Sequence, residues 1–189
     1  MVGRAVFLDR DGVINENMVR DGRPVAPTRL EDFRILPGVE AAVRRLKAAG
    51  FAIVVVTNQP DIATGRTPRA AVEAMNEVVR QELAVDDVMV CQHVDADGCT
   101  CRKPKPGMLL TAAAERAIDL KTSYLIGDRG RDIEAGRAAG CLTILVHSGY
   151  GHAADGAGPD AIVTSLSEAV ELILAREGMG GSAHGRTER

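Results

Sequence analysis

Short apolar runs rich in β-branched residues recur along this chain and alternate with longer amphipathic stretches. That alternation restricts the fold more than any other feature. Residues 5–8, 52–57, 88–91, 124–126, 142–146 and 162–163 read as short buried strands. Helices are expected between them at 38–49, 68–83, 106–118, 131–139 and 165–176. In the first, Val39, Val43 and Leu46 share a face and Gly50 closes the end; in the second, Thr67 supplies an N-cap and Pro68 a first-turn proline. Each crossover helix must pack back onto the sheet it left, so the expected class is α/β, a doubly wound parallel sheet covered on both faces. Ligands bind such sheets beyond the carboxyl ends of the strands, which puts the loops starting at Asp9, Asn58, Gln92, Gly127 and His147 on one rim.

The chain is long enough for one domain, residues 1–177, and its 46% apolar content suffices for an ordinary core. Its 23 basic and 26 acidic residues leave a formal charge of −3, a poor match to nucleic acid or an anionic membrane. A small soluble ligand is the expected partner. No apolar run reaches the roughly 18 residues of a membrane span, and the first residues meet an acidic loop before a signal core could form, so a cytoplasmic chain is expected. No coiled-coil pattern is visible, which points to a monomer. Residues 178–189 lack apolar periodicity and read as a disordered tail, and 153–158 as a flexible connector.

Asp9 and Asp11 follow the first strand at alternate positions, with Gly12 to turn the chain, and Asp128 and Asp132 follow the strand at 124–126. Four acids delivered to one rim repel one another unless a cation sits among them. Magnesium fits, because it prefers oxygen ligands and bridges carboxylates to a phosphate. A carboxylate so placed can attack phosphorus and form an aspartyl phosphate, while its neighbour protonates the leaving oxygen and later deprotonates water. Asp-x-Asp alone is more often a turn. Joined in order at strand ends by Thr57, Lys103, Asp128 and Asp132, it reads as a site.

Thr57 and Asn58 end an apolar strand, where a hydroxyl and backbone N–H groups can donate to phosphate oxygens. Arg102 and Lys103 bring positive charge to the same rim, stiffened by Pro104 and Pro106. Cys91, His93, Cys99 and Cys101 offer three thiolates and an imidazole within eleven residues, suited to a closed tetrahedral zinc site of structural kind. Cys141 stands apart and reads as a small buried hydrophobe. His147 reads as a surface or hydrogen-bonded histidine at the rim, and His152 carries no assignment.

Asp9-Arg10-Asp11-Gly12-Val13-Ile14-Asn15, Thr57-Asn58-Gln59, Arg102-Lys103-Pro104 and Gly127-Asp128-x3-Asp132 together resemble the four ordered motifs of the haloacid dehalogenase (HAD) superfamily phosphatases, over about residues 4–175. The Cys-x-His…Cys-x-Cys insertion is similar to a narrower group, the D,D-heptose 1,7-bisphosphate and histidinol-phosphate phosphatases. The resemblance implies Asp9 as nucleophile and magnesium ligand, Asp11 as acid/base lending its carbonyl to magnesium, and Asp128 as a further magnesium ligand. It also implies Thr57, Asn58 and Lys103 around the transferring phosphate, Asp132 orienting Lys103 or the metal shell, and Arg102, with Arg129 as a weaker candidate, reaching the substrate. The gaps around the first two motifs are too short for a cap domain, so rim loops 15–27, 59–67 and 92–100 must choose the substrate. The chain departs from the heptose group at Gln59-Pro60-Asp61-Ile62, where Gln-Ser-Gly-Ile is common, and in its short zinc loop. The expected substrate is the 7-phosphate of a heptose 1,7-bisphosphate; histidinol phosphate is the alternative. A phosphoacceptor signalling receiver also uses strand-end acids and magnesium, but with adjacent acids after its first strand.

Overall fold

A computed structural model describes residues 3–147 and 158–179. The chain opens with β1 (Ala5–Leu8), a small hairpin of β2 (Met18–Arg20) and β3 (Arg23–Val25), α1 (Val39–Ala48) and β4 (Ala52–Asn58). It continues through α2 (Arg69–Leu83), β5 (Asp87–Cys91), α3 (Gly107–Arg116), β6 (Tyr124–Gly127), α4 (Gly130–Ala139), β7 (Leu142–Val146), β8 (Ala161–Val163) and α5 (Leu166–Arg176). Six strands form one parallel sheet in the order β5-β4-β1-β6-β7-β8. The chain moves outward from β1 through β4 and β5, then returns to place β6 on the other side. That reversal makes the tip of β1 the switch point of the sheet, where ligands of such folds bind.

Both faces of the sheet are covered, which explains strands that are continuously apolar instead of alternating. Val6, Leu8, Ile53 and Val55 pack beneath α1, α2 and α5, while Ala5, Phe7, Val54 and Val56 pack against residues of α3 and α4. Val39, Val43 and Leu46 are buried on α1 as their spacing implies, and Cys141 is a buried member of the second cluster.

Three sequence expectations need correction. Thr67 does not cap α2: Pro68 occupies the N-cap position, with no side-chain cap, and Thr67 is buried. The 15–27 loop contains the β2–β3 hairpin, turned by Asp21 (φ 52°) and Gly22 (φ 70°), the left-handed pair of a type I′ turn. Gly178 and Met179, read from the sequence as the start of the tail, instead close α5, their N–H groups donating to the Ala175 and Leu174 carbonyls. The rest of the tail, His152 and most of the 153–158 connector lie outside the described residues. Among the described residues the sheet carries no cap domain: the hairpin is the largest insertion between β1 and α1, and a turn-rich loop joins β4 to α2. No described helix is long and apolar enough to cross a membrane.

Gly136 lets α4 lie close on the sheet. A Cβ there would stand 2.7 Å from Thr143 Cγ2 and 2.9 Å from Leu125 Cβ. Alanine favours a helix over glycine by about 1 kcal/mol, whereas overpacking a dense core costs roughly 1–3 kcal/mol. Gly136→Ala is therefore expected to lower the unfolding free energy by about 1 kcal/mol in denaturant titration; a stabilised variant would contradict this close packing.

Candidate active site and metal cluster

The tip of β1 is held at the switch point by a bond from the Asp9 N–H to the Ile126 carbonyl of β6, 2.9 Å. Beside it the sheet gathers the predicted acids. Carboxylate oxygens of Asp9, Asp128 and Asp132 lie within 4.8 Å of one another, all three residues buried. Lys103 is 2% exposed, and its ammonium lies 2.9 Å from Asp9 Oδ1 and 2.6 Å from Asp132 Oδ1 while donating to the Val56 carbonyl at 2.7 Å. The Asn58 amide grips the Lys103 backbone from both sides, accepting from its N–H at 3.1 Å and donating to its carbonyl at 3.0 Å. Asn58 thus sets the lysine in place with the very groups expected to face phosphate.

Two glycines make room for this crowding. A Cβ on Gly127 would stand 2.2 Å from Asp132 Cβ, and one on Gly12 (φ 89°) would stand 2.2 Å from Asp128 Oδ2. The second Asp132 oxygen accepts the Arg129 N–H at 3.1 Å, a capping contact that seats the acid in the first turn of α4. Asn17 reaches in from the stretch before the hairpin to donate to Asp128 Oδ2 at 3.2 Å, and Arg129 donates to the Pro24 carbonyl of β3 at 3.3 Å.

Three carboxylates face one ammonium. Burial foremost, then the Asp132 charge, pushes the Asp9 carboxyl up to about 7 against the opposing pull of Lys103. Burial and Asp132 likewise raise Asp128 to about 6. Burial disfavours the Lys103 charge, but Asp132 and Asp9 outweigh it and its pKa stands above the ordinary lysine value. Asp128 Oδ1 is buried with no hydrogen-bond partner. A hard divalent cation would satisfy that orphaned oxygen and the excess negative charge together.

Asp11 is held differently, by Arg10, Asn15 and Gln59. Gln59 also donates to Thr57 Oγ1 at 2.8 Å, which leaves the hydroxyl proton of the buried Thr57 free to donate elsewhere. Asp9, Asp11, Asn58 and Lys103 line a cleft of about 260 Å³. Its wall also includes the exposed Arg66 and the half-buried Arg129 and Arg131. Arg102 does not face this cleft. Its Nε donates to Asp95 Oδ1 at 2.6 Å, and it lines a separate small hollow beside Cys99 and Lys105. His147 is exposed, its N–H donating to the Val163 carbonyl, and it is not part of the cleft.

Sequence reasoning missed Arg10, Asn17, Gln59, Arg66 and Arg131. Arg10 and Gln59 were adjacent to chosen residues, yet nothing in a one-dimensional pattern reveals that an arginine is buried. Arg66 lies on the loop between β4 and α2 and Arg131 in the first turn of α4, and only the folded chain brings them to the cleft.

Cys91, His93, Cys99 and Cys101 converge as expected. Their sulfur–sulfur distances are 3.2 to 3.8 Å, and His93 Nδ1 lies 3.6 Å from Cys91 Sγ and 3.3 Å from Cys101 Sγ. Tetrahedral ligands about 2.3 Å from zinc would stand roughly 3.8 Å apart, so the cluster needs little movement to enclose an ion. The loop is pinned to the start of α3 by Lys105, which donates to the Gly98 and Cys99 carbonyls, and by the Gly107 N–H on Thr100.

The HAD-hydrolase-like family model matches residues 100–169. Over 189 aligned residues the chain is 37% identical to the D-glycero-beta-D-manno-heptose-1,7-bisphosphate 7-phosphatase of Yersinia pestis, covering 91% of this chain and 96% of that relative. It is 39% identical over 153 residues to the enzyme of the same name from Pseudomonas putida, covering 78% and 85%. The crystal structure of D,D-heptose 1,7-bisphosphate phosphatase from B. bronchiseptica, complexed with magnesium and phosphate, is similar with a TM-score of 0.79 at 31% identity, covering 92% of this chain and 99% of that one. The chain belongs to the HAD-like hydrolase family and is a phosphoric monoester hydrolase.

The carboxylate cluster ties stability to pH. Asp9 and Asp128 bind protons more tightly folded than at their ordinary value of 3.8, so what they contribute to stability is fully present below that value and is lost as pH rises through 6 and 7. A cation among the carboxylates competes with those protons. Magnesium is expected to raise the Tm of metal-free protein more at pH 8 than at pH 5.5; equal increments at both would contradict the assignment of these carboxylates as the cation site.

Proposed function

We propose that the chain removes the 7-phosphate of D-glycero-D-manno-heptose 1,7-bisphosphate through an aspartyl phosphate on Asp9. The observation that carries this reading is the Lys103 ammonium, 2.9 Å from Asp9 Oδ1 at the switch point of the sheet, inside a cleft that Asp11 also lines. Lys103 favours the ionised, nucleophilic form of Asp9 and neutralises the oxygens of the transferring group. Asp132 anchors Lys103 from behind. The Thr57 hydroxyl and backbone N–H groups beyond β4 receive the phosphate, and Asp11 donates a proton to the leaving oxygen and later takes one from water.

Magnesium would be held by the Asp9 and Asp128 carboxylates and the Asp11 carbonyl. It supplies positive charge that keeps the carboxylates ionised and draws electron density from the phosphoryl group. Zinc would be enclosed by Cys91, His93, Cys99 and Cys101 with no open position, a structural ion that fixes the 92–100 loop.

The choice of a bisphosphate is supported by the relatives of that name and by charge. Arg66, Arg129 and Arg131 on the cleft wall exceed what one transferring phosphate needs, and guanidinium groups suit a second phosphate. The assay is kcat/KM for heptose 1,7-bisphosphate, heptose 7-phosphate and histidinol phosphate, with Asp9→Asn as control and zinc content measured on the same sample. The bisphosphate is expected to exceed both others by about 10-fold or more. Asp9→Asn is expected to fold normally and lose at least about 10³-fold in kcat, and one zinc per chain is expected. A preference for histidinol phosphate would overturn the sugar assignment, and undiminished turnover by Asp9→Asn would overturn the chemistry.

A further inference from the structure

Arg10 lies between the two aspartates of the first motif and is 0% exposed. A buried cation is costly unless it is paired, so its partners indicate its use. Nη1 donates to Asn76 Oδ1 on α2 at 2.9 Å, and the guanidinium carbon lies 5.7 Å from the centre of the Phe33 ring. The other side of the fork points at Asp11: Nε and Nη2 reach Oδ1 at 3.3 and 3.1 Å, and Nη2 also reaches Oδ2 at 3.1 Å.

Those contacts make the two oxygens of Asp11 unequal. Oδ1 accepts from Arg10 Nε, Arg10 Nη2 and Asn15 Nδ2, the last at 3.1 Å. Oδ2 accepts from Gln59 at 2.7 Å and shares Arg10 Nη2. With three donors on one oxygen and two on the other, the Asp11 carboxyl group is held in a single orientation.

We propose that Arg10 is a positioning residue for the leaving-group proton donor: anchored on Asn76 and Phe33, it fixes the orientation of the Asp11 carboxyl group toward the leaving oxygen. This rests on the acid role given to Asp11 above. As an Asp9 oxygen bonds to phosphorus, the bond from phosphorus to the leaving oxygen breaks and its electron pair stays on that oxygen. The proton of the Asp11 carboxyl group moves onto it, and Asp11 becomes a carboxylate beside Arg10. Water then attacks phosphorus while the Asp9–phosphorus bond breaks with its pair returning to Asp9, and Asp11 takes the proton that the water loses. Arginine suits the position because it stays charged through both halves of the cycle.

Leaving-group dependence separates this role from a merely structural one, because 4-nitrophenolate departs without a proton and a sugar alkoxide does not. Arg10→Lys keeps the charge but loses the fork. In single turnover it is expected to slow alcohol release from a sugar phosphate by about 10-fold or more and nitrophenolate release by less than about 3-fold, with KM little changed. Equal slowing of both substrates, or slowing of neither, overturns the proposal. Should Arg10→Lys fail to fold, Asn76→Ala removes only the far anchor and is expected to show the same selectivity, about 3-fold or more; no selectivity there overturns it too. Asp11→Asn is run alongside. Leaving-group-selective loss in Asp11→Asn but not in the Arg10 variant refutes the role of Arg10 alone, and its absence from both refutes the acid role on which it rests.

Discussion

One buried ammonium organises this molecule. Lys103 bridges Asp9 at the tip of β1 and Asp132 in the first turn of α4, and it leans on the Val56 carbonyl of β4. Three parts of the fold thereby meet on a single charge. Removing one partner from a buried pair of this kind leaves an uncompensated charge and costs roughly 3–5 kcal/mol. The ammonium is nevertheless outnumbered by Asp9, Asp128 and Asp132. That imbalance lifts the nucleophile toward protonation and creates the demand for a further cation.

The rest of the site grows outward from this centre. Asn58 clamps the lysine backbone, Gly127 and Gly12 admit the acids at close quarters, and Arg129 links α4 to the hairpin above the cleft. Without a cap domain among the described residues, the cleft is bordered by the hairpin and the 59–67 loop, and beside it stands the cysteine-bearing 92–100 loop. Asp95 of that last loop is held below the usual carboxylate range by Arg102 foremost, with a smaller pull from Arg131 of the cleft wall. The 92–100 loop therefore meets the edge of the cleft through charge.

Much of this was legible in the sequence because the strands are buried on both faces. Runs such as Ile53–Val56 could be nothing but interior, and their ends fixed the rim and the positions of Asp9, Thr57 and Asp128. Local chemistry was read less well. The hairpin strands are three residues each, too short for periodicity, although Asp21-Gly22 was a usable turn signal. Thr67 lost its cap role to burial. Arg102 was read as reaching the substrate from its place beside Lys103; in the fold its Nε donates to Asp95 and it lines the hollow beside Cys99, a geometry that spacing along an irregular loop does not reveal. The use of Arg10 depends on Asn76, 66 residues distant, and no local pattern announces such a partner.

In the proposed reaction Asp9 itself carries the phosphoryl group during turnover. Rapid quenching of the enzyme with substrate, reduction by borohydride and mass spectrometry of the peptide tests it directly, because reduction turns an aspartyl phosphate into homoserine. Homoserine is expected at position 9 and at no other aspartate. Turnover that leaves Asp9 unreduced, or that marks Asp11 or Asp128 instead, would contradict it.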